Sequence, residues 1–177
     1  MRLSATGIAM IKFLEAAVVC RRLAYKDQGG VWTIGWGSTG PDIVAGTIWT
    51  QEQCDARFAA DSTKAAAGVD ALIEIEDLTD NEFSALVSFA YNEGLHALAT
   101  SHLLALVNQL DGSNVDEGDI SAQFNRWDKV TINHELVTDK GLVGRRACEI
   151  ALWNLPDGAA APDWNAIRSA AEAGMAA

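Results

Sequence analysis

Long apolar runs are missing from this chain. Nowhere in its 177 residues is there a stretch close to the roughly 20 apolar residues that a membrane-spanning helix requires, so stable membrane insertion is not expected. Met1-Arg2-Leu3-Ser4 supplies one Arg, but Lys12 and Glu15 interrupt the next stretch of chain before a signal-peptide core can develop, and no export signal is read. Basic residues are also few, 13 Lys and Arg against 24 Asp and Glu, for a formal charge of −11. Nucleic acid is therefore not an expected partner, because phosphate binding relies on clustered cations that release counterions. The three cysteines, Cys20, Cys54 and Cys148, lack CxxC spacing and are odd in number, which argues against a disulfide framework and a zinc site. They read as buried small hydrophobes. His96, His102 and His134 stand apart without an HExxH pair, so a zinc hydrolase is not expected, and no metal or cofactor is called for. No histidine lies in the N-terminal half to serve as base for a Cys20 nucleophile.

What is present is ordinary globular composition, 49% hydrophobic and 21% charged, in a length suited to one main domain. Ser4 can cap a helix whose apolar positions Ile8, Ile11, Leu14 and Val18 fall on one face, with Glu15 four residues after Ile11. From Leu23 to Ile48 the texture changes: Tyr25, Val31, Trp32, Thr33, Ile34 and Trp36 favour extended chain, and Gly29-Gly30 supplies a turn. Thr50-Gln51-Glu52-Gln53 and Thr79-Asp80-Asn81-Glu82 match the capping-box pattern of helix starts. Further helices are predicted over 101–110, 120–127 and 142–153, separated by Gly112, Gly118 and Gly141. The expected architecture is α+β: an N-terminal helix and a small antiparallel sheet (about 22–49) beside a larger helical lobe (about 50–155), with a cleft between lobes. Residues 1–155 form the expected domain, and 156–177 an Ala-rich tail, docked or fraying as a helix.

Glu15 and Asp27 are the candidate chemistry. Glycosidic hydrolysis uses two carboxyl groups, one protonating the leaving oxygen and one activating water. Apolar surroundings would favour the protonated acid at Glu15, while Asp27, beside Lys26 and a glycine turn, would stay ionised. The plainer alternative pairs Glu15 with Lys12 or Arg22 and leaves Asp27 as a turn residue. Gly35-Trp36-Gly37-Ser38-Thr39-Gly40 also fits GxGxxG, but Pro41-Asp42 comes next, where a nucleotide-binding helix should open. Trp32, Trp36 and Trp127 offer faces for sugar stacking or for core packing.

The string Leu23-Ala24-Tyr25-Lys26-Asp27-Gln28-Gly29-Gly30-Val31-Trp32-Thr33-Ile34-Gly35-Trp36-Gly37-Ser38-Thr39-Gly40 resembles the hairpin signature of the phage-lysozyme glycosidases. The resemblance continues through Phe83-Ser84-Ala85-Leu86-Val87-Ser88-Phe89-Ala90-Tyr91-Asn92-Glu93-Gly94, Ser101-His102-Leu103-Leu104, Phe124-Asn125-Arg126-Trp127 and Gly141-Leu142-Val143-Gly144-Arg145-Arg146-Ala147-Cys148-Glu149. Ordered motifs of this kind are more specific together than singly.

The resemblance implies a lysozyme-like fold and a muramidase that cuts between N-acetylmuramic acid and N-acetylglucosamine, with Glu15 as acid. Asp27 matches the family's hairpin Asp, and Thr33 its water-placing Thr, which implies inversion. Substrate contacts are expected from Trp36, Tyr25, Asn92, Arg145 and Arg126. Because peptidoglycan carries carboxylates, a local cationic face is needed, drawn from Arg21, Arg22, Arg126, Arg145 and Arg146; for Arg145 and Arg146 an internal salt bridge to Glu149 or Asp128 is the alternative. The resemblance further implies a monomer that waits in the host cytoplasm and depends on a holin-type pore to reach the periplasm or cell wall. Two departures stand out. Glu15 and Asp27 are about three residues further apart than in the family pattern, with the insertion expected between Ala16 and Cys20, and Ser38 replaces a structural His. The insertion leaves open a peptidoglycan-binding protein without turnover. A lytic transglycosylase is a third reading.

Overall fold

The computed structural model describes all residues except 17, 18, 28, 111–116, 176 and 177. Val18, Gln28 and Gly112, each given a role from sequence, lie outside the described residues, as does part of the expected insertion.

Helix α1 (Ala5–Ala16) starts where expected, the Gly7 N–H donating to Ser4 Oγ at 2.9 Å. Ser4 also ties this start to helix α3 (Asp80–Glu93): its hydroxyl donates to Asn81 Oδ1 and its N–H to Ser84 Oγ, both at 2.8 Å. A Cβ at Gly7 would overlap Ser84, so glycine lets the two helices approach closely. The buried face differs from the predicted one. Met10 and Ile11 are fully buried while Ile8 is 36% exposed, because α1 packs on both α3 and the later helix α7 (Lys140–Trp153) and is rotated toward them.

The predicted sheet is present. Strands β1 (Arg21–Lys26), β2 (Trp32–Gly35) and β3 (Ser38–Thr39) form an antiparallel sheet in that order, with Tyr25 opposite Thr33, Ile34 opposite Ser38, and a register shift between Arg21 and Tyr25. Leu23 bridges Ile48, which closes the small lobe, and Ala24, Ile34 and Ile43 form its own core.

Helix α2 (Gln51–Asp70) carries the chain to the larger lobe, its length about 30 Å by the usual rise per residue. Both capping boxes form as read: Thr50 with Gln53, and Thr79 with Glu82. Helix α3 is the centre of the helical lobe, burying Phe83, Leu86, Val87, Phe89 and Ala90 among α1, α2 and α7. Short helices α4 (Leu95–Ala99), α5 (His102–Val107) and α6 (Glu117–Asn125) complete its wall.

A second hairpin, β4 (Lys129–Ile132) and β5 (Glu135–Thr138), is absent from the sequence expectation. Its turn residues Asn133 and His134 both have positive φ, as a two-residue turn matched to strand twist requires. Beyond α7, helix α8 (Trp164–Gly174) is docked: Trp164 is buried, and Gly144 of α7 faces Arg168 and Glu172 so closely that a Cβ there would crowd both.

Candidate active site

Helix α1 delivers Glu15 near its C-terminal end, where the side chain is 15% exposed. Its Oε1 accepts from Arg145 Nη2 at 2.7 Å, so the apolar setting expected from the sequence is replaced by an ion pair. Its Oε2 faces the turn between β2 and β3, at Gly37. This residue has φ +80°, and a Cβ on it would overlap Glu15 Oε2, so both its conformation and its missing side chain are needed here. The partner of Glu15 is neither Lys12 nor Arg22. Lys12 pairs with Asp55 at 2.6 Å, and Arg22 Nε donates to the Trp49 carbonyl at 3.2 Å.

Asp27 closes the β1–β2 turn. Its Oδ1 accepts from the Val31 N–H at 2.9 Å, and its carbonyl from the Gly30 N–H at 3.0 Å. The turn reading is therefore correct, yet it leaves Oδ2 turned toward Thr33, whose hydroxyl lies 3.5 Å away and also donates to the Val31 carbonyl at 3.2 Å. Tyr25 lies opposite Thr33 and feels the charge of both carboxylates. Its phenol is pushed up by burial; Arg21, stacked 4.3 Å from the ring, opposes this, and the negative charges of Glu15 and Asp27 add to it. Asp27, Thr33 and Tyr25 thus lie together on the hairpin, and Glu15 is near enough for its charge to act on the Tyr25 phenol.

Four of the expected substrate contacts are placed differently or apart. Trp36 is buried, its Nε1 donating to Asp55 Oδ1 at 2.9 Å with Lys12 Nζ 5.1 Å over the ring, so it is a core residue and not an open sugar platform. Arg145 is engaged by Glu15 and is only 10% exposed. Asn92 accepts a hydrogen bond from fully buried Arg146. Arg146 also lies 3.2 Å from Glu149, itself fully buried and accepting from Ser88 Oγ at 2.8 Å. Burial holds the Glu149 carboxyl above its ordinary range, against the pull of Arg146 and Arg145. The internal salt-bridge alternative is the correct one for Arg146. Arg126 is exposed, donates to Gln123 at 3.2 Å, and with Trp127, Ser101 and His102 lines a separate polar pocket of about 270 Å³. Trp127 stands edge-on to Phe89, with ring centres 5.2 Å apart.

Sequence reasoning missed Tyr91, whose hydroxyl donates to the Trp36 carbonyl at 3.0 Å and so supports the turn that carries Gly37. Burial, together with the charges of Glu15 and Asp61, pushes its phenol up strongly. Ser38, in place of the family's His, still ties the hairpin to α2, donating to Asp61 Oδ2 at 2.9 Å.

Residues 17–149 match the family model described as phage lysozyme. The chain belongs to the phage lysozyme family. It is 34% identical over 153 residues to the endolysin of Acyrthosiphon pisum secondary endosymbiont phage 1, covering 86% of this chain and 98% of that one. It is also 34% identical over 136 residues to the SAR-endolysin of Enterobacteria phage PA-2, covering 74% of each. Among solved structures, it is similar to the endolysin from Escherichia coli O157:H7 phage FAHEc1, with TM-score 0.79, 32% identity, and 92% and 98% of the two chains covered. The muramidase domain of SpmX from Asticaccaulis excentricus has TM-score 0.76 and 30% identity, with 88% and 99% covered. The fold is lysozyme-like α+β, and the chain is a peptidoglycan-hydrolysing endolysin of the lysozyme type.

Proposed function

We propose that this endolysin cleaves the β-1,4 bond between N-acetylmuramic acid and N-acetylglucosamine by inversion, with Glu15 as general acid, Asp27 as general base and Thr33 placing the attacking water. The observation that carries this reading is the division of the Glu15 carboxylate. Oε1 is fixed by Arg145, which leaves Oε2, beside the Gly37 turn, as the oxygen that hands a proton to the leaving sugar. Asp27 Oδ2 and Thr33 Oγ1, 3.5 Å apart, set an acceptor and a hydroxyl side by side, the pair that would engage the attacking water. Tyr25 borders the bound sugar, and Arg126 contacts the peptide stem from its own pocket. Arg145 acts through Glu15 as a positioning residue.

The enzyme works as a monomer on glycan strands, the segment 1–155 carrying the chemistry and α8 bracing α7. It accumulates in the host cytoplasm and reaches the wall through a holin-type pore. Release from a membrane-held form is the competing route, raised by the relatives named SAR-endolysin; among the described residues no helix is long and apolar enough to cross a membrane.

The test is release of reducing sugar from purified peptidoglycan by wild type, Glu15→Gln, Asp27→Asn and Thr33→Ala, with folding followed by thermal unfolding. Loss of at least roughly a hundredfold in Glu15→Gln supports the acid assignment. An anhydro product would indicate a transglycosylase. A folded wild type that binds strands without cutting them would leave a binding protein.

A further inference from the structure

A pocket of about 270 Å³ lies between the Gly37–Thr39 turn, Asp61 and Lys64 of α2, and Tyr91 of α3. It adjoins the acid, because Gly37 lines it and the same residue packs on Glu15 Oε2. Several cations around the active site are matched internally. Lys12 holds Asp55, Arg145 holds Glu15, Arg146 holds Glu149, and Arg57 holds Asp61 at 3.0 Å and Asp42 at 3.0 Å. Asp61 also accepts from Ser38, so its charge is already countered. Arg21, Arg22 and Lys26 on the hairpin make no ion pair among the described residues, and neither does Lys64, which is exposed and is the cation that lines this pocket. In a chain of net charge −11, an uncommitted cation on the rim of a pocket next to the acid is a local reversal of sign.

We propose that Lys64 is a substrate-binding residue that recognises a carboxylate of the peptide stem attached to the muramyl unit. The sugar enters the pocket beside the Gly37 turn, and the ammonium meets the carboxylate-bearing stem that the muramyl sugar carries and its neighbour lacks. An uncharged strand gains nothing from this contact. Preference for muramyl substrates would then come from a side chain on the long connecting helix, away from the reacting bond. This inference rests on Glu15 marking the cleavage point, which the Glu15→Gln variant tests separately.

The experiment measures KM and kcat for wild type, Lys64→Gln, Lys64→Arg and Lys64→Glu on three substrates: stem-bearing strands, strands stripped of stems by an amidase, and uncharged chitooligosaccharide. An exposed pair is worth up to about 1 kcal/mol, so Lys64→Gln should raise KM roughly two- to fivefold on stem-bearing strands, with kcat little changed. Lys64→Arg should restore it, and Lys64→Glu should be worse than Lys64→Gln. Disappearance of the effect on stripped strands supports stem recognition; persistence there, where the carboxylate is the lactyl group that the amidase frees from its amide, overturns it. An unchanged KM on both glycans, or an equal rise on chitooligosaccharide, overturns the proposal. Glu15→Gln inactive beside an unaffected Lys64→Gln would sink this inference alone, while an active Glu15→Gln would remove the reading beneath it.

Discussion

Arg145 and Glu15 are 130 positions apart in sequence, and their side chains meet at 2.7 Å, joining α7 to the C-terminal end of α1. Both are largely withdrawn from water, so each depends on the other for compensation of its charge. Replacing Arg145 with Met should destabilise the protein by about 3 kcal/mol, since it leaves a buried carboxylate unpaired. It should also reduce kcat more than it raises KM, because the acid loses its fixed orientation. Urea unfolding together with steady-state kinetics checks both; an Arg145→Met protein with wild-type kcat would show that Glu15 needs no such anchor.

Gly37 sets the other side of the same carboxylate. Gly37→Ala combines positive φ with a Cβ against Glu15 Oε2, so the turn or the acid must move. The expected cost is about 1–3 kcal/mol in stability. The activity loss should exceed tenfold, since small misplacement of a reacting group is expensive in rate. Gly30→Ala is the control: it also has positive φ, but a Cβ there meets nothing within 4 Å, so strain without collision is isolated.

Acid sensitivity should come in part from Asp55. Hydrogen bonds from Lys12 and Gln51, followed by that from Trp36, hold its carboxyl down to about 2, from an ordinary value of 3.8. A carboxyl depressed in the folded state contributes its full stability above the unfolded value and loses it as pH falls through the folded one. The affected window is therefore about pH 4 to pH 2. Asp55→Asn should be less stable than wild type at neutral pH, and its melting temperature should fall less steeply across that window. Parallel curves for the two proteins would remove Asp55 from the account.

Thiol chemistry gives a separate check on the core. Cys20, Cys54 and Cys148 are all buried and free, as their spacing suggested. Burial pushes Cys54 up to about 12, helped by its hydrogen bond to Cys20, and Cys148 up to about 12, helped by nearby Glu149. At pH 8 alkylation of Cys54 and Cys148 should be slow in the native protein and rapid after unfolding, because the thiolate is the reacting form. Peptide mass mapping after brief iodoacetamide exposure reads this directly. Rapid native labelling of either would contradict the packing described.

The features legible in the sequence are those specified locally. Thr50 with Gln53 and Thr79 with Glu82 cap helices through residues three apart, and Gly37 and Asp27 sit within one hairpin string whose turns require them. The pairings that build the site are not local. Nothing near Glu15 in sequence points to Arg145, and Lys12, an apparent partner, is drawn to Asp55 on α2. Trp36 looks available for a sugar in the sequence because burial cannot be read from an aromatic residue at a glycine-flanked turn; its Nε1 is instead held by Asp55. The β4–β5 hairpin has little sequence signal because Asn133-His134 lacks the glycine of the usual turn, and its strands, exposed at most positions, show no buried alternation.

The C-terminal helix offers a test of how far support for the site extends. Trp164 is buried, its carbonyl accepts from Cys148 Sγ at 3.6 Å, and α8 lies along α7, the helix that carries Arg145. Trp164→Ala removes a large buried side chain and should cost about 3 kcal/mol. If α8 braces α7, kcat should also fall, because a looser α7 holds Arg145, and through it Glu15, less well. Asn165→Ala, at an exposed position of α8, should change stability by less than about 0.5 kcal/mol and leave kcat alone. A destabilised Trp164→Ala enzyme that keeps wild-type kcat at a temperature where it is fully folded would make α8 a contributor to stability only.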